Sequence, residues 1–301
     1  NTLEWYKFPF EYIGENTIKL TLVDGGLGDD DGIVNGIIED DLGITNNWWN
    51  ESWGYRQAIN ITNQQATNIS DYQIELGLTS ANVGDNFNWS HNEDAIRFTR
   101  YNITGNNEVV LDYFVDDWNS TTETATVIVE VDHMVASNHD DGLGNGETVV
   151  FMYYNNPDVS SESNATATYI AYDDFSSDTL SSYWSTTDQD GVSGTSFDIL
   201  NSYFNLTAGG ADTWTGSDQY GSAYKSVSGD FDATLKIISQ EDSDQWAKAG
   251  LMLKNDMTAS ASSTGYVFMA ITPDNDYAWQ RDEDDNGYLE SHTPAGSTAY
   301  P

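Results

Sequence analysis

The chain has 301 residues and sets 49 Asp and Glu against 10 Lys and Arg, for a formal net charge of -39. Hydrophobic residues make up 38% and aromatic residues 13%, enough to build cores and to exclude disorder from want of apolar surface. The charge excludes phosphate binding by a basic patch, so no nucleic-acid partner is expected, and it disfavours an anionic lipid surface. There is no cysteine, which removes disulfides, thiolate zinc sites and cysteine nucleophiles together.

Two readings account for the acidity. Adaptation to high salt, which screens carboxylate repulsion, is favoured because the acids are spread along the whole chain. Calcium loading, which neutralises part of the charge, is the other. A cysteine-free exported chain fits an archaeal or bacterial surface protein better than an animal module. No signal peptide, transit peptide or membrane span is read in the sequence. The chain starts at Asn1 rather than Met, so it is expected to be a mature or cropped piece.

In chain order, residues 1–45 hold one or two strands and a Gly/Asp-rich loop. A second segment, 48–170, opens on Trp48, Trp49 and Trp53, which are expected to seal its start. In it Tyr72, Ile74, Leu76 and Leu78 alternate with Gln73, Glu75 and Gly77, and Val127, Val129 and Val131 alternate with Ile128 and Glu130. Asn138 to Gly146 reads as a turn, and Ser160 to Thr168, small and polar, as a boundary. A third segment, 171–301, carries Phe231, Ala233, Leu235 and Ile237 alternating with Asp232, Thr234 and Lys236, then Tyr266, Phe268 and Ala270. Period two over short runs predicts antiparallel strands at each place, and no apolar stripe of helical period competes. The expected fold is all-β, with tandem antiparallel sandwiches of jelly-roll type.

Each segment resembles a family of prokaryotic surface domains. Leu20 to Gly32, followed by Asn35-Gly36, resembles the end of a choice-of-anchor domain, with Asp41-Leu42-Gly43 standing where a Pro-Gly turn belongs. Trp53-Gly54-Tyr55-Arg56, Asp71-Tyr72-Gln73-Ile74, Ile96-Arg97-Phe98 and Met152-Tyr153-Tyr154-Asn155 resemble a domain of unknown function from archaeal and bacterial surface proteins. That family has Gly where this chain has Asn155, a residue that also tolerates positive φ. Asp173-Asp174-Phe175, Trp184, Gly229 to Ala233 and Lys248 to Met252 resemble concanavalin-like jelly rolls. These resemblances imply extracellular β-modules and no catalytic residues.

Four kinds of candidate chemistry stand out. Eight sequons place glycan acceptors at Asn50, Asn60, Asn68, Asn88, Asn102, Asn119, Asn164 and Asn205, six of them between Asn50 and Thr121. Their bland reading is a set of polar strand faces and turns. A calcium loop would use Asp24, Asp29, Asp31 and Asn35, because hard cations want several oxygens from a tight Gly-rich turn. Asp282 to Gly287 and the set Asp140, Asp141, Asn145 and Glu147 are weaker candidates, and solvated acidic turns are the plain alternative. Sugar stacking could use Trp214, Trp246 and Trp279 with Tyr277, although large aromatics more simply fill cores. His91, His133, His139 and His292 sit in no metal-binding or catalytic spacing, and carboxylate pairs carry no information among 49 acids, so no enzyme is expected.

These features together lead to an expected extracellular structural or adhesive module of a glycosylated cell-surface protein. Its expected partners are copies of itself or other surface proteins, joined by strand exchange into a filament or layer. A carbohydrate-binding module accessory to a glycanase is the alternative.

Overall fold

In the computed structural model the described residues are 4–6, 10–14, 17–26, 33–36, 48–102, 107–139, 146–189, 194–214, 219–258, 267–282 and 291–295. The chain divides into two compact units, Asn1–Tyr172 and Asp173–Pro301. Among the described residues the regular structure of both is antiparallel strand, apart from one four-residue helix.

Unit 1 contains β1 (Glu4–Tyr6), β2 (Phe10–Gly14), β3 (Thr17–Leu20), β4 (Tyr55–Thr62), β5 (Tyr72–Thr79), β6 (Ile96–Asn102), β7 (Asn107–Leu111), β8 (Tyr113–Asn119), β9 (Thr124–Val131) and β10 (Glu147–Tyr154). A four-residue helix, α1 (Ala165–Thr168), follows. Among the described residues one sheet has the order β1-β4-β10-β6-β7, a second β5-β9-β8, and β2 pairs with β3. The two larger sheets form a sandwich around one core. Ile96 and Phe98 of β6 and Val150, Met152 and Tyr154 of β10 meet Val127, Val129 and Val131 of β9, Leu78 of β5 and Tyr113 of β8. Alternation sends these side chains inward while Asn60, Thr62 and Glu75 point out. Burying each such side chain contributes about 1.5–3 kcal/mol.

Aromatic rings close the sandwich at one end. Tyr55 stacks on Tyr154 with centroids 5.5 Å apart, and Phe87 packs edge-on to Trp89 at 4.9 Å. The Trp118 indole donates to the Trp89 carbonyl at 3.1 Å. Beyond β10 the chain turns through Asn155 at φ +59°, the conformation expected for the residue standing in place of Gly.

The Ser160–Thr168 stretch, expected as a boundary, is bound to unit 1. The Ser163 hydroxyl accepts from the Val115 amide, and the Asn164 side chain caps α1 by accepting from the Ala167 amide. Small polar residues here serve as caps and turn anchors, which is why composition alone resembled a linker. Within the segment 1–45, β1 lies beside β4 in register Trp5 to Arg56.

Unit 2 contains β11 (Ser185–Asp188), β12 (Ser196–Leu200), β13 (Tyr203–Thr207), β14 (Gly221–Tyr224), β15 (Ala249–Leu253), β16 (Val267–Ile271), β17 (Tyr277–Arg281) and β18 (Ser291–Ala295). Its sheets are β11-β14, β12-β13 and β15-β16-β17-β18. Among the described residues its buried apolar side chains are few, namely Tyr220, Met257, Phe268, Ala270 and Ala278. The strand expected at Phe231 to Ile237 does not form: residues 225–242 carry no regular structure. Phe231 and Leu235 stay 39% and 44% exposed. Alternation gives a segment the capacity to be a strand, but a strand exists only where a ladder partner is present.

Candidate functional site

The most organised polar constellation lies on the face of the five-stranded sheet turned away from the sandwich core. Cross-strand register aligns Arg56 of β4, Tyr153 of β10 and Arg97 of β6 in one row. Glu108 of β7 reaches into this row from the sheet's edge. The Arg56 guanidinium lies 2.5 Å from the Glu108 carboxylate, with side chains only 5% and 1% exposed. The Tyr153 hydroxyl donates to Glu108 at 2.8 Å and accepts from the Trp49 amide at 3.0 Å, and the Thr99 hydroxyl donates to Glu108 at 2.5 Å. Burial pushes the Tyr153 hydroxyl well above the usual tyrosine range, so it stays protonated as a donor.

Aromatic rings cover this row. Trp48, Trp49 and Trp53 each meet the Tyr153 ring at 5.6 to 6.3 Å, edge-on. Arg56 lies over Trp48 at 5.1 Å and Phe151 at 4.2 Å, and Arg97 over Trp53 at 5.4 Å. Arg97 also donates to the Ser160 carbonyl and the Tyr113 hydroxyl and pairs with Glu162 at 2.8 Å. Burial raises the Tyr113 hydroxyl's pKa, and the Arg97 charge works against that rise. A third arginine, Arg100, spans the two sheets to Asp132 through bonds of 2.5 and 2.8 Å.

The three arginines are the only Lys or Arg of unit 1 whose side chains are described, and each is committed to an internal ion pair. A carboxylate as enclosed as Glu108 offers no reacting atom to a substrate. What the arrangement does is lock: it fastens the tryptophan-rich segment and the Ser160–Ser163 stretch onto the sandwich. Sequence reading quoted Arg56, Arg97 and Tyr153 as parts of motifs but missed Glu108 and Thr99. The usable signal was scarcity, since each of the few arginines on these strands is answered by an acid, Glu108 buried and Asp132 and Glu162 partly exposed.

The sequon residues sit mostly outside. Asn50, Asn60, Asn68, Asn88, Asn119, Asn164 and Asn205 are exposed and Asn102 is half-buried. Four of them hold local turns through the side-chain oxygen. Asn50 accepts from the Ser52 amide and hydroxyl, Asn88 from the Ser90 amide, Asn119 from the Thr121 and Thr122 amides, and Asn164 from the Thr166 hydroxyl. This leaves each amide nitrogen, the atom that would carry a glycan, pointing away from its turn partner.

Of the calcium set, Asp24 accepts from the Asn35 amide at 3.2 Å and the Gly36 amide at 2.7 Å, closing the loop with its own carboxylate. Asp29 and Asp31 lie outside the described residues, as do Asp140, Asp141, Asn145 and the acidic run after Asp282. Among the described residues no three His, Asp or Glu side chains gather as a metal site. His91 is half-buried, His133 is half-buried, and His139 is exposed.

The three candidate sugar-binding tryptophans are not gathered. Trp214 packs against Phe268 and Met252 on the covered face of the four-stranded sheet. Trp279 pairs with Met269 in the alternate phase, hence on the opposite face. Trp246, expected as core, is 43% exposed. Trp184 donates to Asp173 at 3.0 Å.

Among the described residues no helix is long and apolar enough to cross a membrane. Comparison with curated proteins and with solved structures finds no match. Comparison with protein families finds one match, over residues 92–187, to a domain of unknown function termed DUF2341. It takes in β6 to β10 and α1 and runs past Tyr172 to the first strand of unit 2. The two arginines of β6, Glu108, Asp132 and Tyr153 all lie within the stretch of this strand-rich chain that matches DUF2341.

Proposed function

We propose that the chain is a structural module of an exported, N-glycosylated cell-surface protein, associating with copies of itself at high ionic strength. The observation that carries the reading is the division of charge in unit 1. Its described arginines are spent inside, while Asp71, Glu75, Asp85, Glu93, Asp116 and Asp117 face solvent beside the sequon residues. Such a surface suits concentrated salt, where screening length falls to a few ångströms. The resemblances of 1–45 to a choice-of-anchor end and of 171–301 to a concanavalin-like jelly roll support the same setting. Calcium at the Asp24 loop remains part of this proposal, with the Asp24 carboxylate already ordering the turn.

Light scattering across salt concentration tests the reading. Association is expected to grow as salt screens the -39 charge. A single 33.3 kDa species at every salt and protein concentration would overturn it.

A carbohydrate-binding module is the second reading, favoured by the exposure of Trp246. A glycan array separates the two, because a sugar-dependent signal lost in Trp246→Ala belongs only to a binding module.

A further inference from the structure

We propose that the outer face of the five-stranded sheet beside Asn60 is a docking strip for the linking sugar of an N-glycan on that residue, with Val149 and Phe151 as its floor. The inference rests on the N-glycosylation just proposed and gives one of its sugars a structural task.

Strand phase puts Asn60 on this face. Its neighbours Ile59 and Ile61 pack against the sandwich core, so the Asn60 side chain turns outward, and it is exposed. Register then separates it from the other sequon residues carried on described strands. Asn102 stands opposite Asn107, Asn119 opposite Thr124 and Asn205 opposite Asp198, all polar partners. Asn60 stands opposite Val149 of β10, with Phe151 on the diagonal. Directly paired residues hold their Cβ atoms about 4.5–5.5 Å apart, and diagonal neighbours lie about 7–8 Å away. A ring linked to the Asn60 amide is therefore within reach of both.

The strip continues beyond these two. Ala58, Phe151, Thr99 and Val110 follow one another across β4, β10, β6 and β7, in the row next to that of Asn60. Val149 and Phe151 are half-buried and Val110 is 46% exposed. In a chain with 49 acids this row carries none. Glu108 of β7, in the same phase, keeps its carboxylate in the pair with Arg56. Glu147, two residues along β10 from Val149 and opposite Thr62, supplies an acceptor for a sugar hydroxyl.

The chemistry of the occupant follows. One face of a pyranose is a set of C–H groups, which leaves water favourably against apolar side chains, while its rim carries hydroxyls. A neutral ring with one apolar face matches a neutral strip with an acid at its end. A peptide would bring main-chain donors and acceptors that the face of a sheet, unlike its edge, leaves unpaired. The tether at Asn60 makes the contact intramolecular, so weak stacking suffices to hold the ring in place.

Thr62→Ala tests this, because it removes the sequon and leaves Asn60 itself. Parent and variant are isolated from the cells that make the protein, and the mass of the Asn60 peptide is measured in each. The expected result is a sugar on Asn60 in the parent and, in Thr62→Ala, a thermal midpoint of unit 1 lower by about 2–4 °C. Thr121→Ala removes the sequon of Asn119, which has Thr124 opposite, and is expected to leave that midpoint unchanged. In a Val149→Thr background, which keeps the shape of the floor and loses its apolar surface, the Thr62→Ala loss is expected to shrink. Equal midpoints for a parent loaded at Asn60 and for Thr62→Ala would overturn the proposal. So would the same loss on Thr62→Ala in sugar-free protein from cells without glycosylation, since the loss would then belong to Thr62. Asn60 bare while other sequons are loaded overturns this proposal alone. Sugar on no sequon overturns the N-glycosylation reading with it.

Discussion

Arg56 and Glu108 form a salt bridge of 2.5 Å beneath the Trp48 ring, on the outer face of a sheet rather than in its core. Two charges so enclosed are costly to separate, because removing one strands the other without solvent. Thr99 and Tyr153 both donate to the Glu108 carboxylate, so the cluster stands or falls as a unit. Glu108→Ala is expected to cost about 3–5 kcal/mol in denaturant unfolding. Glu108→Gln, which keeps one acceptor for Tyr153, should cost less. Equal stability of Glu108→Ala and the parent would show that the pair is not a lock.

Trp53 is 2% exposed, over Arg97 and against Tyr153. Trp53→Ala removes a large buried ring and should destabilise by about 3–5 kcal/mol. Because the ring covers the row that holds Ser160, proteolysis between Asn156 and Ser163 should quicken in the variant. Unchanged cleavage there would argue that the tryptophans are ornament to the sheet rather than its cover.

The acid limb of stability should carry opposite signatures from two neighbours. For Asp132, burial works to raise the pKa, but the hydrogen bond and charge of Arg100 outweigh it and hold the carboxyl below its ordinary range. A depressed folded pKa gives stability that is present above the unfolded value and lost as pH falls through the folded one. Asp132→Asn should therefore lose about 1 kcal/mol at neutral pH, the scale of a partly exposed pair, and show a flatter acid limb.

For Glu130, burial and the nearby Asp71, Asp112 and Asp132 charges raise the carboxyl above its ordinary 4.5. A raised folded pKa on an acid favours folding below the unfolded value, and that contribution is lost as pH rises through the folded pKa. Glu130→Gln should thus be more stable than the parent at pH 7, with the advantage fading below about pH 4.5. Urea midpoints measured across pH check both variants, and a Glu130→Gln advantage that grows toward acid would contradict the assignment.

Much of unit 1 was legible because its signals are local. Ile74, Leu76 and Leu78 announce β5 by period two, and Val127, Val129 and Val131 announce β9, each facing the core as the alternation requires. Asn155 at positive φ followed from the resemblance, whose family carries Gly there, and from the tolerance of Asn for that backbone. Glu108 was illegible, since one buried carboxylate among 49 acids is distinguished only by its three-dimensional partners. Phe231 to Ile237 failed for a related reason: the pattern specifies an amphipathic edge, while strand formation depends on a neighbour that the pattern does not supply. The tryptophans of unit 2 were separable only once strand phase put Trp214 and Trp279 on opposite faces.

The central claim is that unit 1 turns a glycan-bearing anionic surface to an exterior environment. Intact mass of the protein isolated from the cells that make it tests this most directly. The account predicts discrete additions to the mass of the bare polypeptide, mapping to exposed sequons such as Asn88 and Asn119 and lost in their Asn→Gln variants. A mass equal to that of the bare polypeptide would contradict it.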